Sequence, residues 1–376
     1  MKIREIRAVG LWGATPEGGW SDELEHEDCV HTLIAVLTDE GLTGLGSVFT
    51  NDGLVKAALG VLEPLYIDEN ALEPERVSEK LRQHMFWLGR GGSIEHTISG
   101  IDIALWDILG QASGQPIGRL LGGRYRSRVK PYASLLMEEP GALREHLLYL
   151  KAQGFRAFKM GWGPFGRESA KTDESIVRTA RDVVGSDALM VDAGGSDAFW
   201  KQGYKWALRT AQMLAAYDVA WFEEPLHPDA LEDYVRLRAA APLSISGGEV
   251  LTRRQAFRAW IEAGAFDIVQ PDVTKVGGIS ESRRIAWMAQ DHGIRFIPHG
   301  WNTAVGLAAD LQLASAFPDT DLVEYITGSM YVDELKAGGW HLDAEGYLPI
   351  PDQPGLGLEL DMDAVGKYTR GVHWLD

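Results

Sequence analysis

Residues of the types that move protons and hold metal ions recur at one place in a repeating pattern, the end of a short apolar run. They are Lys159, Asp192, Glu223 or its neighbour Glu224, Glu249, Asp272, His299 and Glu324. Asp192, Glu223 and Glu249 end three consecutive runs, 31 and 26 positions apart. A lone carboxylate after a strand is commonly a helix cap or a solvated surface group. Three in register, converging on one point, repel one another unless a cation neutralises them. An all-oxygen donor set selects Mg²⁺ or a similarly hard ion. Asp272 and His299 end the next two runs. A carboxylate beside an imidazole orients the ring and raises its basicity, which suits a general base. The stretch "FKMGWG" (158–163) adds an inward lysine, Lys159, with Gly161 two positions on, on the same side of an extended chain.

The runs that must position these residues are "VKPYASL", "FRAFKM", "ALMVDA", "VAWFEEP", "LSISGGE", "FDIVQPD", "IRFIPHG" and "DLVEYI". Helical stretches such as "SIVRTARDVVG" and "ISESRRIAWMAQDHG" separate them. Strands at this spacing, alternating with helices, predict a (β/α)8-type barrel, whose active sites lie at the C-terminal strand ends. No glycine-rich nucleotide turn opens any of the helices, which disfavours an open dinucleotide-binding sheet. The first 50 residues instead read as strands, with "DEG" as a turn. "SIEHTISGIDIALWDILGQASG" follows as a helix, with its N-cap expected near Ser93. The sequence thus divides into an α+β capping domain over 1–126, a barrel over 127–350 and a segment over 351–376 that returns to the first domain.

The formal net charge of −18 disfavours nucleic acid and anionic membranes as partners. It does not disfavour a small anionic substrate, because a bound cation inverts the local field. A single cysteine, Cys29, and the absence of a long apolar run fit a cytoplasmic protein with no disulfide framework and no membrane span.

In this order the blocks "SGIDIALWDILGQASGQPIGRLLGG", "MVDAG", "WFEEPL", "GGE", "QPDVTKVGG", "PHGW" and "PGLGLELD" resemble the enolase superfamily, in its mandelate racemase-like branch. The resemblance runs nearly the whole chain. It implies a (β/α)7β modified TIM barrel under an N-terminal α+β capping domain, and a homo-oligomer, either dimer or octamer. It implies Mg²⁺ held by Asp192, Glu223 and Glu249, choosing the first glutamate of the pair. The implied chemistry is removal of a proton α to a carboxylate. Asp272 and His299 match the base dyad, Glu324 the acidic group that stabilises the enolate, and Lys159 the lysine that meets the substrate carboxylate.

The chain departs from the racemases of this branch at Gly161, where they carry a second lysine as the base for the opposite face. It departs again at Gly194, in "DAGG" where "DAN" is usual. One proton carrier suffices for a dehydratase, and the pattern is most similar to acid-sugar dehydratases of the L-rhamnonate dehydratase kind. The expected product is a 2-keto-3-deoxy acid. Loops at "GATPEGGWSDELEHED" and "FTNDG" would close over the barrel mouth, with Trp20, His26, Trp162 and Trp301 as candidate sugar contacts. An epimerase or lactone cycloisomerase, with Lys275 or Tyr331 as a second acid, is the alternative within the fold. A non-catalytic binding paralogue is the alternative outside it, although such a protein has no need of a base.

Overall fold

Two hydrophobic rhythms, period two and period 3.6, run through the chain, and each is realised as the element it favours. The computed structural model describes residues 1–13, 28–197, 199–372 and 374–375. β1 (Ile3–Leu11), β2 (His31–Thr38) and β3 (Thr43–Val48) form an antiparallel sheet in that order. The long helix Gly92–Ser113 lies on it with 14 of its residues buried. Contact there is backbone to backbone. A Cβ on Gly44 would fall 2.1 Å from the Ala104 carbonyl oxygen, and one on Gly46 2.0 Å from that of Gly100. The helix begins one residue before Ser93, after an extended Gly91 with no side-chain cap, so the cap expected near Ser93 is not made. Gly114, at φ 65°, ends it in the left-handed conformation that favours glycine.

The eight runs become β4 (Arg128–Leu136), β5 (Ala157–Gly161), β6 (Ala188–Asp192), β7 (Trp221–Glu223), β8 (Ser244–Gly247), β9 (Ile268–Val269), β10 (Arg295–Phe296) and β11 (Leu322–Ile326). All pair in parallel in the order β11-β4-β5-β6-β7-β8-β9-β10, and the connections between consecutive strands each carry a helix, from Pro140–Ala152 to Ala304–Ala316. The two ends of this run are joined through side chains. Thr320 Oγ1 donates to the Phe296 carbonyl (2.9 Å), and the Gly300 N–H donates to Glu324 Oε2 (2.7 Å). The architecture is a (β/α)7β modified barrel with an N-terminal capping domain.

The barrel interior is layered by the period of two. Tyr132, Ala157, Met190, Trp221, Ile268 and Ile297 form an apolar cluster inside the strands. Two residues further along the same chains stand Ser134, Lys159, Asp192, Glu223, Gln270 and His299. The lower layer is a dry floor, and the polar layer is the mouth.

After β11 the chain returns to the first sheet and helix. β12 (Leu348–Pro349) pairs antiparallel with β4. The Leu356 N–H donates to Asp107 Oδ1 (2.8 Å), the Ile117 N–H to the Gly355 carbonyl (3.1 Å), and the Trp12 N–H to that of Tyr368 (2.9 Å). Gly355 is required in this docking, since its φ is 74° and a Cβ would sit 2.1 Å from Asp107 Oδ1. Burial pushes Asp107 up to about 6, against the N–H donors of Leu356, Leu45 and Gln111. Among the described residues, no helix is long and apolar enough to cross a membrane.

Candidate active site

The polar layer opens into a cavity of about 160 Å³. It is lined by Lys159, Gly161, Trp162, Asp192, Glu249, Lys275, His299, Trp301 and Glu324, with Phe49 from the first domain. A larger cleft of about 960 Å³ lies between the first domain and the returning segment, and it contains none of these residues. The smaller cavity holds the chemistry.

Asp192, at the end of β6, Glu223, at the end of β7, and Glu249, just beyond β8, are all buried. Each offers a carboxylate oxygen within 4.8 Å of the others. This triad is placed to hold a metal ion, and its all-oxygen composition suits a hard one. Each acid is oriented from outside. The Gly194 N–H donates to Asp192 Oδ1 (2.8 Å). Glu223 Oε2 accepts from Trp221 Nε1 (2.9 Å) and Gln270 Nε2 (2.7 Å). Sequence reasoning missed these two donors, although Trp221 shares the inward face of β7 with Glu223, and Gln270 and Asp272 lie two positions apart just beyond β9. Burial, then Glu223, raises the Asp192 carboxyl well above its ordinary value. Burial would raise Glu249 too, but His299 holds it well below. Neutralising clustered buried acids is what a bound cation would accomplish.

Glu224, the other member of the doublet, is buried with φ 41°, and its Oε2 has no hydrogen-bond partner among the described residues. Burial, reinforced by Glu249, pushes it up to about 8. The residue pattern alone left the two glutamates open and the family blocks chose Glu223; the β6–β7 register pairs Glu223 with Asp192, so that the two face inward together.

Lys159 is 2% exposed and bridges the acids. Its Nζ lies 2.5 Å from Glu223 Oε1, 2.9 Å from Glu324 Oε1 and 3.7 Å from Asp192 Oδ2. Burial disfavours the ammonium, but Glu223 and Glu324 outweigh it and raise Lys159 well above the usual range. Burial likewise would raise Glu324, and Lys159 holds it down.

His299 and Asp272 meet at the ends of neighbouring strands, paired as an isolated parallel bridge. His299 Nδ1 is 2.9 Å from Asp272 Oδ2, and Nε2 is 3.0 Å from Glu249 Oε2. Asp272 is fixed by Thr274, whose N–H and hydroxyl donate to Oδ1 at 2.7 and 2.6 Å. Burial opposes the imidazolium, but Glu249 and Glu324, with Asp272 hydrogen-bonded to Nδ1, raise the ring well above its usual value.

Gly161 and Gly194 have distinct steric reasons. Gly161 pairs with Asp192 in the β5–β6 register, and a Cβ there would lie 3.1 Å from Asp192 Cβ and 3.2 Å from Oδ2. The space beside Gly161 is therefore bounded closely by the Asp192 side chain. At Gly194 a Cβ would stand 2.6 Å from the Trp162 indole. The ring of Trp162 occupies the place where a side chain at 194 would project. Trp162 itself is held at φ 62°, a conformation costing a non-glycine residue roughly 1–2 kcal/mol. Trp162 and Trp301 both line the cavity, whereas Trp20 and His26 lie outside the described residues.

The two groups considered as a second acid are not placed opposite His299. Lys275 Nζ approaches the same oxygen, Asp272 Oδ2, at 3.7 Å. Tyr331 packs edge-on against His31 and Tyr368 and does not line the cavity.

An inward layer of acids, one lysine and a carboxylate-backed histidine at a capped barrel mouth defines a class of enzyme. The chain belongs to the mandelate racemase/muconate lactonizing enzyme family of the enolase superfamily. The model of that family's N-terminal domain matches residues 26–122, and the enolase C-terminal domain-like model matches 142–364. Among characterised relatives, the D-galactarolactone cycloisomerase of Agrobacterium fabrum is 35% identical over 386 aligned positions, covering 98% of this chain and 99% of that protein. The D-xylonate dehydratase of Haloferax volcanii is 31% identical, covering 97% and 94%. Among solved structures, the 3,6-anhydro-D-galactonate cycloisomerase of Zobellia galactanivorans superposes with a TM-score of 0.86 at 28% identity, over 98% of this chain and 99% of that one. A racemase of Streptomyces coelicolor with bound magnesium gives 0.85 at 27%, over 97% and 99%.

Proposed function

We propose that this enzyme is a Mg²⁺-dependent hydro-lyase that dehydrates a sugar acid to a 2-keto-3-deoxy acid. The observation that carries the reading is a single histidine base, His299 on Asp272, facing a cavity in which Gly161 supplies no second base. Asp192, Glu223 and Glu249 would hold the ion. When bound, it supplies positive charge against the dianion that develops as the α-proton leaves. Lys159 binds the substrate carboxylate, and Glu324, ion-paired to it, keeps the ammonium aimed at the substrate.

His299 Nε2 takes the α-proton, and the electron pair of that C–H bond becomes the enediolate. Asp272 holds Nδ1 and steadies the imidazolium. As the electron pair returns to form the Cα=Cβ bond, the Cβ–O bond breaks and His299 returns its proton to the departing hydroxyl, which leaves as water. The enol then tautomerises to the keto acid. One group serves both steps because both events occur on one face.

A cycloisomerase is the second reading, favoured by the relatives of that name. Its first half is identical, but the leaving oxygen belongs to a ring and no water departs. Incubation with Mg²⁺ and a panel of open-chain acid sugars, including D-xylonate and D-galactonate, separates the two. We expect keto acid with loss of one water, abolished by chelation and restored by Mg²⁺. In D₂O the α-position should exchange with one stereochemical sense, with no 2-epimer. Keto acid formed from lactones or anhydro acids alone would transfer the assignment to the cycloisomerase. A 2-epimer would demand a second base.

A further inference from the structure

We infer that Lys275 is a substrate-binding residue, its ammonium donating to the hydroxyl or carboxylate oxygens of the sugar acid beyond the reacting carbons, on the face that His299 attacks. This rests on the proposed sugar-acid chemistry and adds to it the residue that reads the polyhydroxylated end.

Lys275 follows β9 in a turn closed by its N–H to the Asp272 carbonyl (3.0 Å). The turn brings Nζ back to the cavity wall, where the residue is only 7% exposed. An ammonium carries three donors and, when buried, normally has acceptors for them. Among the described residues Lys275 Nζ makes no hydrogen bond. Its one carboxylate neighbour, Asp272 Oδ2, is 3.7 Å away and already accepts from His299 Nδ1 at 2.9 Å. Asp272 Oδ1 is taken by Thr274. What holds the ammonium in place is instead the face of Phe49, with Nζ 4.3 Å from the ring centroid.

A lysine serving only to neutralise Asp272 would close to contact distance, as Lys159 does with Glu223 at 2.5 Å. Here the aromatic ring pins the side chain while its donors remain unmatched at the edge of the cavity, and a ligand rich in oxygen acceptors satisfies them. Lys159 is ion-paired to Glu223 and Glu324 at the floor, where it meets the carboxylate end of the substrate. Lys275 is thus the cavity's other cation, and it stands on the histidine side.

The test compares binding of two probes to His299→Asn protein loaded with Mg²⁺, so that neither is consumed. D-galactonate carries hydroxyls along its chain, whereas lactate shares only the carboxylate and 2-hydroxyl. Adding Lys275→Met should weaken D-galactonate by at least about tenfold, the effect of losing a charge-assisted hydrogen bond in a buried site. Lactate and Mg²⁺ affinity should change less than twofold. Lys275→Gln, which keeps a donor, should recover part of the loss and serves if the Met variant does not fold. An unchanged D-galactonate affinity, or an equal loss for lactate, would overturn the inference. Failure of the hydro-lyase reading is separately visible, as an absence of keto acid from the unvaried enzyme in the panel assay.

Discussion

Replacing Gly161 with alanine isolates one contact of the proposed metal centre. Gly161 is not among the left-handed positions, so alanine brings no backbone strain and the perturbation is the methyl alone. That methyl would lie 3.1, 3.2 and 3.3 Å from Asp192 Cβ, Oδ2 and Cγ, inside the roughly 3.5–4.0 Å at which such atoms rest. The strands cannot part, because Gly161 and Asp192 are register partners. The carboxylate must give by a few tenths of an ångström, against the Gly194 N–H that holds its Oδ1. Overpacking of this kind costs about 1–3 kcal/mol. If about 1.4 kcal/mol of it is relieved by turning Asp192 away from Glu223 and Glu249, divalent-cation affinity falls about tenfold. Titration calorimetry with Mg²⁺, paired with thermal unfolding of metal-free and loaded protein, reads this directly. The loaded form should lose more stability than the metal-free form. Mg²⁺ affinity within twofold of the unvaried enzyme would refute the claim that this glycine exists to seat Asp192.

His299→Asn should abolish turnover, by about a thousandfold or more, while circular dichroism and Mg²⁺ affinity persist, because one group carries both proton transfers; near-normal turnover would move the base elsewhere. Lys159→Ala should raise KM and lower kcat together, since the charge it faces grows between substrate and transition state. A change in KM alone would reduce it to a simple binding group. Gly194→Ala should displace the Trp162 indole, with its Cβ only 2.6 Å from the ring, and strain a backbone held at φ 64°, raising KM by about tenfold or more; an unaltered KM would show that the indole does not touch substrate.

The acids, the histidine and the lysine were legible before any coordinates because a barrel strand repeats every two residues and the mouth lies at its C-terminal end. An inward apolar residue such as Met190 or Trp221, then a polar one two places on, is a linear signature of a three-dimensional layer. The family blocks added the assignment of Glu223 over Glu224, a choice that depends on which of two adjacent residues faces inward and so on strand register. The N-terminus of the helix Gly92–Ser113 was misplaced by a residue or two, because an extended glycine with no capping side chain leaves no polar signature.

Three features depended on tertiary structure alone. Gly161 is small because a neighbouring strand brings Asp192 against it, and no local pattern encodes a cross-strand contact between residues 31 apart. Gly194 makes way for Trp162, which lies on another strand's loop. Lys275 looked like a possible partner across the substrate from His299. The fold places it on the same Asp272 oxygen, under a ring contributed by the first domain. Residue type and period determine which side chains enter the mouth. Which of them face one another is decided by strand register and by the docking of the capping domain, because distances between elements are set by packing rather than by position along the chain.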